Sequence, residues 1–271
     1  MIGDITIGQY YAGTSVLHRM DPRAKLAATF WLIVVIFLCK SFFALGLITL
    51  TAMVAVLLSR VPLKMIFRSL RPIVIILIFT AVLNVFYNKG GATYWEWWKI
   101  TVTEKGVNTA LFTMVRIIVL VVISSLLTYT TTPTMLTDGL ERLLSPLKVF
   151  KIKVHTLAMM MTLALRFIPT LIEEIERIMN AQKARGADLE TGGLLQRAKA
   201  LVPIFIPLMV SAFRRAYELA FAMTCRCYTG GEGRTRMKQM KLAVRDVLLL
   251  IVCAGITAGV LVLNHFFTAV I

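Results

Sequence analysis

Acids and histidines are scarce in this chain: 14 Asp and Glu and three His among 271 residues, against 30 Lys and Arg. Catalytic signatures are missing as well. No Gly-X4-Gly-Lys-Ser/Thr loop occurs, so the chain carries no phosphate cradle for hydrolysing a nucleotide, and Gly230, Gly231 and Gly233 read as a helix end and loop. No His-Glu-X2-His pair exists to hold zinc, and no Gly-X-Ser-X-Gly elbow to expose a nucleophile. His18, His155 and His265 are scattered, which leaves a lipid-phosphate enzyme without an acid–base cluster. The apolar stretches lack the carboxylates with which secondary transporters carry protons or sodium, and no repeat relates them. The four cysteines form no framework: Cys225 and Cys227 are two apart, a spacing that suits neither zinc nor a dithiol motif. There is no Asn-X-Ser/Thr sequon, and the polar N-terminus does not open like a cleaved signal peptide.

What remains is hydrophobic. Apolar residues make up 58% and charged residues 16%, with a mean hydropathy of +0.78. Soluble domains carry roughly 45–50% apolar and about 25% charged residues, so this is an integral membrane protein. The net charge of +16 then reads as Lys- and Arg-rich loops at the inner face, beside anionic headgroups, and not as a nucleic-acid surface.

Asp21-Pro22 has the form of a helix start, an Asp cap with Pro in the first turn. The apolar run from Leu26 to Leu58 is broken at Lys40-Ser41. Basic residues flank it on both sides: Arg19, Arg23 and Lys25 before, Arg60, Lys64, Arg68 and Arg71 after. Two inward-facing flanks require an even number of crossings, hence two spans. A third span covers residues 72–88. The loop after it, Asn88 to Gly106, carries Tyr94, Trp95, Trp97 and Trp98, an aromatic anchor expected at an outer membrane interface. A fourth span runs from about Val107 to Tyr129 and contains Arg116, whose charge at that depth costs about 2.5–3.5 kcal/mol and calls for a polar partner on a neighbouring helix.

From residue 130 to 240 the character changes. More than half of the Lys and Arg and most of the acids lie here. Two apolar segments, Thr156–Ile172 and Ala200–Phe213, look short or interrupted for a span of ~20 residues, and each runs on into a charged helix. They read as amphipathic helices at the inner surface, with dipping in as a pair the alternative. Met159, Met160 and Met161 make a soft patch that suits sliding contacts and ordinary core filling equally. A last span runs from Val247 to about Ala269. The expected fold is therefore an all-α integral membrane protein of about five transmembrane helices plus a domain of long amphipathic helices. Its segments are 1–129, 130–240 and 241–271, with the N-terminus and 130–240 cytoplasmic and the C-terminus outside.

Both long helical patterns end alike, in Ala184-Arg185-Gly186 and Cys225-Arg226-Cys227. An arginine between two small residues can enter a groove on another protein unobstructed; an arginine in a last turn before Gly is also an ordinary helix ending. An insertase would combine five spans with a basic inner face too, but needs a polar groove, for which Arg116 alone is thin support.

With these segments placed, the chain resembles the T component of energy-coupling factor transporters, a branch of the ATP-binding-cassette importers. The likeness rests on Ser15-Val-Leu-His18-Arg-Met-Asp21-Pro22-Arg23-Ala-Lys25, Thr131-Thr132-Pro133-Thr-Met-Leu136, Leu143-Leu144-Ser145-Pro146-Leu147, Leu165-Arg166-Phe167-Ile168-Pro169 and Ala181-Gln-Lys-Ala-Arg185-Gly186. It covers essentially the whole chain in order, and the stretch from Pro169 to Gly186 is its most specific part. The resemblance implies a non-catalytic subunit without cofactor in a prokaryotic cell membrane. Its implied partners are two cytoplasmic ATPase subunits and an S component that captures a vitamin or metal ion. It also implies that Arg185 and Arg226, with their small neighbours, dock one ATPase each. Pro169, Pro203 and Pro207 are the candidate hinges of the helices that carry them. The cysteines beside Arg226 depart from the usual small residues of that motif.

Overall fold

The computed structural model describes residues 10–87, 90, 93–97, 100–151, 153–187, 193–230 and 243–267. It is an all-α membrane architecture that divides into two compact units, residues 8–142 with 239–271, and residues 143–238.

The first unit begins with α1, Pro22–Leu38. Asp21 caps it, its carboxylate accepting from the Arg23 amide at 2.9 Å, with Pro22 at the first helical position. A three-residue turn at Cys39–Ser41 leads to α2, Phe42–Ser59, which is capped by the Ser41 hydroxyl. Next come the short α3, Leu63–Leu70, a 3₁₀ turn at Arg71–Ile73, and α4, Val74–Tyr87. The aromatic loop contains an antiparallel ribbon, β1 Thr93–Trp97 and β2 Ile100–Thr103, where the sequence had suggested only a loop. Thr103 caps α5, Glu104–Thr130, and α6 follows at Pro133–Leu143. The chain returns to this unit in α9, Val244–Phe266.

The helices α1, α2, α5 and α9 pack around Val35, Ile36, Ile48, Phe112, Ile123 and Val260, all buried. Lipid tails are as apolar as these side chains, so the packing is held by close contact and by polar links between helices more than by removal from water. Trp31 Nε1 donates to Thr257 Oγ1 at 2.8 Å, tying α1 to α9. Gly139 of α6 lies against α1: a Cβ there would stand 3.1 Å from the Leu26 side chain and 3.4 Å from the Pro22 backbone.

In the second unit, a 3₁₀ stretch at Ser145–Phe150 precedes two long helices, α7 Val154–Ala184 and α8 Leu194–Cys225. Pro169 lies inside α7, and Pro203 and Pro207 inside α8; each removes one main-chain hydrogen bond without ending the helix. The apolar segments that looked interrupted are thus parts of continuous helices. Among the described residues, six helical stretches are long and apolar enough to cross a membrane: 42–59, 63–87, 104–130, 154–184, 199–225 and 244–266. The expected spans correspond to α1, α2, α4, α5 and α9, with α1 only 17 residues long, and α7 and α8 also meet the length and composition of a span. Trp98, Asp188, Glu190, Gly231, Gly233, Lys241 and Ala269 lie outside the described residues.

Candidate functional site

The site is built from the ends of α7 and α8, and the two ends are the same structure. At the end of α7 the Gly186 amide bonds to the Lys183 carbonyl at 3.0 Å, and the Ala187 amide reaches back to Gln182 at 3.0 Å. At the end of α8 the Cys227 amide bonds to the Thr224 carbonyl at 2.9 Å, and the Tyr228 amide reaches back to Met223 at 3.0 Å. These paired bonds form a Schellman cap, which requires a left-handed residue just past the helix. Gly186 fills it with φ of 82°, Cys227 with φ of 53°. Every partner on α8 lies 41 positions after its counterpart on α7. Arg185 and Arg226 therefore hold equivalent places, and both are exposed, as are Ala184, Gly186, Cys225 and Cys227. The ordinary helix ending and the presentation of an arginine turn out to be one geometry: the cap that closes each helix also leaves its last cation facing outward.

The two helices run antiparallel. Arg215 on α8 donates to Glu174 on α7 at 2.9 Å, and the Tyr228 hydroxyl donates to the Met159 sulfur at 2.9 Å. Of the methionine patch, Met159 is therefore engaged by the end of α8, while Met160 and Met161 are exposed. Among the hinge candidates, Pro169, Pro203 and Pro207 all precede the ion pair along their helices. No cluster of His, Cys, Asp and Glu able to hold a metal occurs among the described residues.

Arg116 belongs to the first unit. Its Nη2 donates to the Cys39 carbonyl at 2.6 Å, and its guanidinium carbon sits 4.7 Å from the Phe112 ring centre. The polar partner expected on a neighbouring helix is the main-chain carbonyl that ends α1, at the α1–α2 turn. Asn264 serves the same turn, donating to Leu38 O at 2.8 Å and accepting from the Lys40 amide at 3.1 Å. Both side chains thus satisfy main-chain groups that the end of α1 and the start of α2 leave without a partner in the helix ladder.

A second polar cluster ties three segments together. Asp246 accepts from the Asp21 amide at 2.9 Å and from the Ala243 amide at 2.8 Å, while Lys25 donates to Thr130 O at 3.0 Å and Thr131 Oγ1 at 3.2 Å. Sequence reasoning passed over Asp246 and Asn264. A lone acid at the start of an apolar helix and a lone amide near its end were the signals available.

A family profile described as cobalt transport protein, CbiQ, matches residues 13–237. The chain belongs to this family, the transmembrane T components of energy-coupling factor transporters. The energy-coupling factor transporter transmembrane protein EcfT of Ruminiclostridium cellulolyticum is 46% identical over 98% of this chain and 100% of its own length. EcfT proteins of Brevibacillus brevis and Bacillus subtilis are 50% and 43% identical, each over 93% of this chain and 95% of their own. A T component is a multi-pass membrane protein, and the apolar helices here agree with that.

Proposed function

We propose that this T component is the non-catalytic coupler between two cytoplasmic ATP-binding-cassette subunits and a membrane-embedded S component that captures a vitamin or metal ion. The observation that carries this reading is the matched pair of capped helix ends, each presenting an exposed arginine between small residues. One arginine enters a groove on each ATPase. When ATP draws the two subunits together, α7 and α8 move with their sockets, and their apolar faces shift beneath the S component, which turns and releases its cargo inward. Pro169, Pro203 and Pro207 supply the points of bending, since each lacks one hydrogen bond of the helix ladder. Arg116 stays a structural residue of the first unit. The bilayer is the remaining partner, and nucleic acid plays no part.

The antiparallel register constrains how the helices lie. Standing upright across the bilayer, they would put Arg185 and Arg226 on opposite sides of the membrane. Docking on two subunits of one compartment requires both helices to lie along the inner surface, apolar enough though they are to cross. The N-terminus and residues 130–240 then face the cytoplasm and the C-terminus lies outside.

The test is co-purification from native membranes. The unchanged chain should bring down two ATP-binding-cassette subunits, and an Arg185→Glu/Arg226→Glu variant should bring down neither. Recovery of both subunits with the double variant would refute the docking role.

A further inference from the structure

Glu174 and Arg215 are also 41 positions apart, the offset that relates the two caps. Each stands 11 residues before the arginine of its own helix. Because the helices are antiparallel, an ion pair between equivalent positions marks the centre of a local two-fold relation between α7 and α8. Two geometric consequences follow. At about 1.5 Å per residue, each arginine lies roughly 16 Å beyond the pair, in opposite directions, so the two are about 33 Å apart along the helices. Eleven residues at about 100° each also bring the chain back to within about 20° of its starting face. Arg185 thus emerges from the face of α7 that holds Glu174, and Arg226 from the face of α8 that holds Arg215.

We propose that the Glu174–Arg215 ion pair is the pivot of the two helices, fixing both the separation and the rotational aim of Arg185 and Arg226. It is a positioning contact: neither residue meets the ATPases, and both act through the arginines. The bond at 2.9 Å joins side chains only 20% and 33% exposed, so water competes for it weakly. Turning either helix about its axis breaks the bond and swings that helix's arginine away from its socket. The inference rests on the docking reading, and its value to the transporter is that both sockets can be met at once.

The test uses the full chain with Cys225→Ala and Cys227→Gly, which gives the second motif the form of the first, and with spin labels on Lys183→Cys and Thr224→Cys. Both labelled positions are exposed and are again 41 residues apart. The unchanged pivot should give one narrow distance distribution. Glu174→Arg or Arg215→Glu alone should broaden it and cut ATP-driven uptake by the assembled transporter at least fivefold. Together the two changes restore the pair in reverse and should return the narrow distribution and more than half of the uptake. A merely destabilising effect would add in the double variant. Failure of the swap to rescue, or an unchanged distribution in both single variants, overturns the pivot. Distances in the isolated chain report on the pivot alone, whereas ATPase capture by the unmutated chain reports on docking alone, so the two readings fail separately.

Discussion

Gly186 and Cys227 occupy the same left-handed position in two copies of one helix cap, with φ of 82° and 53°. Glycine adopts this conformation freely, whereas a residue with a Cβ meets a penalty of about 1–2 kcal/mol. The chain thus carries backbone strain at one of the two proposed docking ends and none at the other. Cys227→Gly should strengthen the second cap by roughly 1 kcal/mol, read as slower hydrogen exchange of the Tyr228 amide that closes it. Gly186→Val should weaken the first cap and speed exchange of the Ala187 amide. No atom stands within 4 Å of a Cβ built at Gly186, so the loss would be one of backbone conformation and not of crowding.

The turn between α1 and α2 should depend on its two polar guards. Asn264→Leu strips Leu38 O and the Lys40 amide of their partner, and should cost about 1–3 kcal/mol, seen as a lower midpoint of thermal unfolding in detergent. Arg116→Leu frees the Cys39 carbonyl and should cost a similar amount. Arg116→Lys, which keeps a donor but loses the planar contact with Phe112, should fall between the unchanged chain and Arg116→Leu.

Asp246 holds two amides from different segments, so its replacements should grade in order. Asp246→Asn retains one acceptor oxygen and should be milder than Asp246→Ala, which orphans the buried Asp21 amide and removes the cap of α9, at about 2–3 kcal/mol. Thermal unfolding of the purified chain checks the order. Equal losses for both would show that the carboxylate is not what holds the α1 start to α9.

Gly139 sets how closely α6 approaches α1. Gly139→Ala requires only that the Leu26 methyl give way by a few tenths of an ångström. Gly139→Leu must displace backbone at Pro22 and should cost about 1–3 kcal/mol in the same unfolding assay.

Much of this was legible in the sequence, for reasons particular residues make plain. The Asp21-Pro22 start and the Lys40-Ser41 break announce themselves because capping chemistry is local, and hydropathy marks the apolar runs, though not which of them cross. The run-on of each apolar segment into a charged helix was legible too, but not that α7 and α8 pass unbroken through Pro169, Pro203 and Pro207. A proline interior to a helix ends it in one context and is tolerated in another, and what decides is the hydrogen-bonded helix around Pro169, Pro203 and Pro207. The ribbon of residues 93–97 and 100–103 was hidden because its aromatic residues suit an interface anchor equally well. In the candidate site, the two arginines stand out in the sequence by their small neighbours. Their shared cap at Cys227 could not, since nothing about a cysteine in sequence signals a positive φ. The Glu174–Arg215 contact, like those of Asn264 and Asp246, joins residues distant in sequence and appears only with the fold.

The central claim is that Arg185 and Arg226 face the same compartment although their helices are antiparallel. Sidedness of labelling tests it most directly. In the Cys225→Ala/Cys227→Gly chain, where the remaining Cys39 and Cys253 are buried, one exposed cysteine at Lys183 or at Thr224 is treated with a membrane-impermeant thiol reagent in sealed vesicles of known orientation, with the chain lacking it as the blank. Both positions should react from the cytoplasmic face and neither from the outer face. Reaction of one from each side would make α7 and α8 an antiparallel pair of spans, and the two-socket account of coupling would fail.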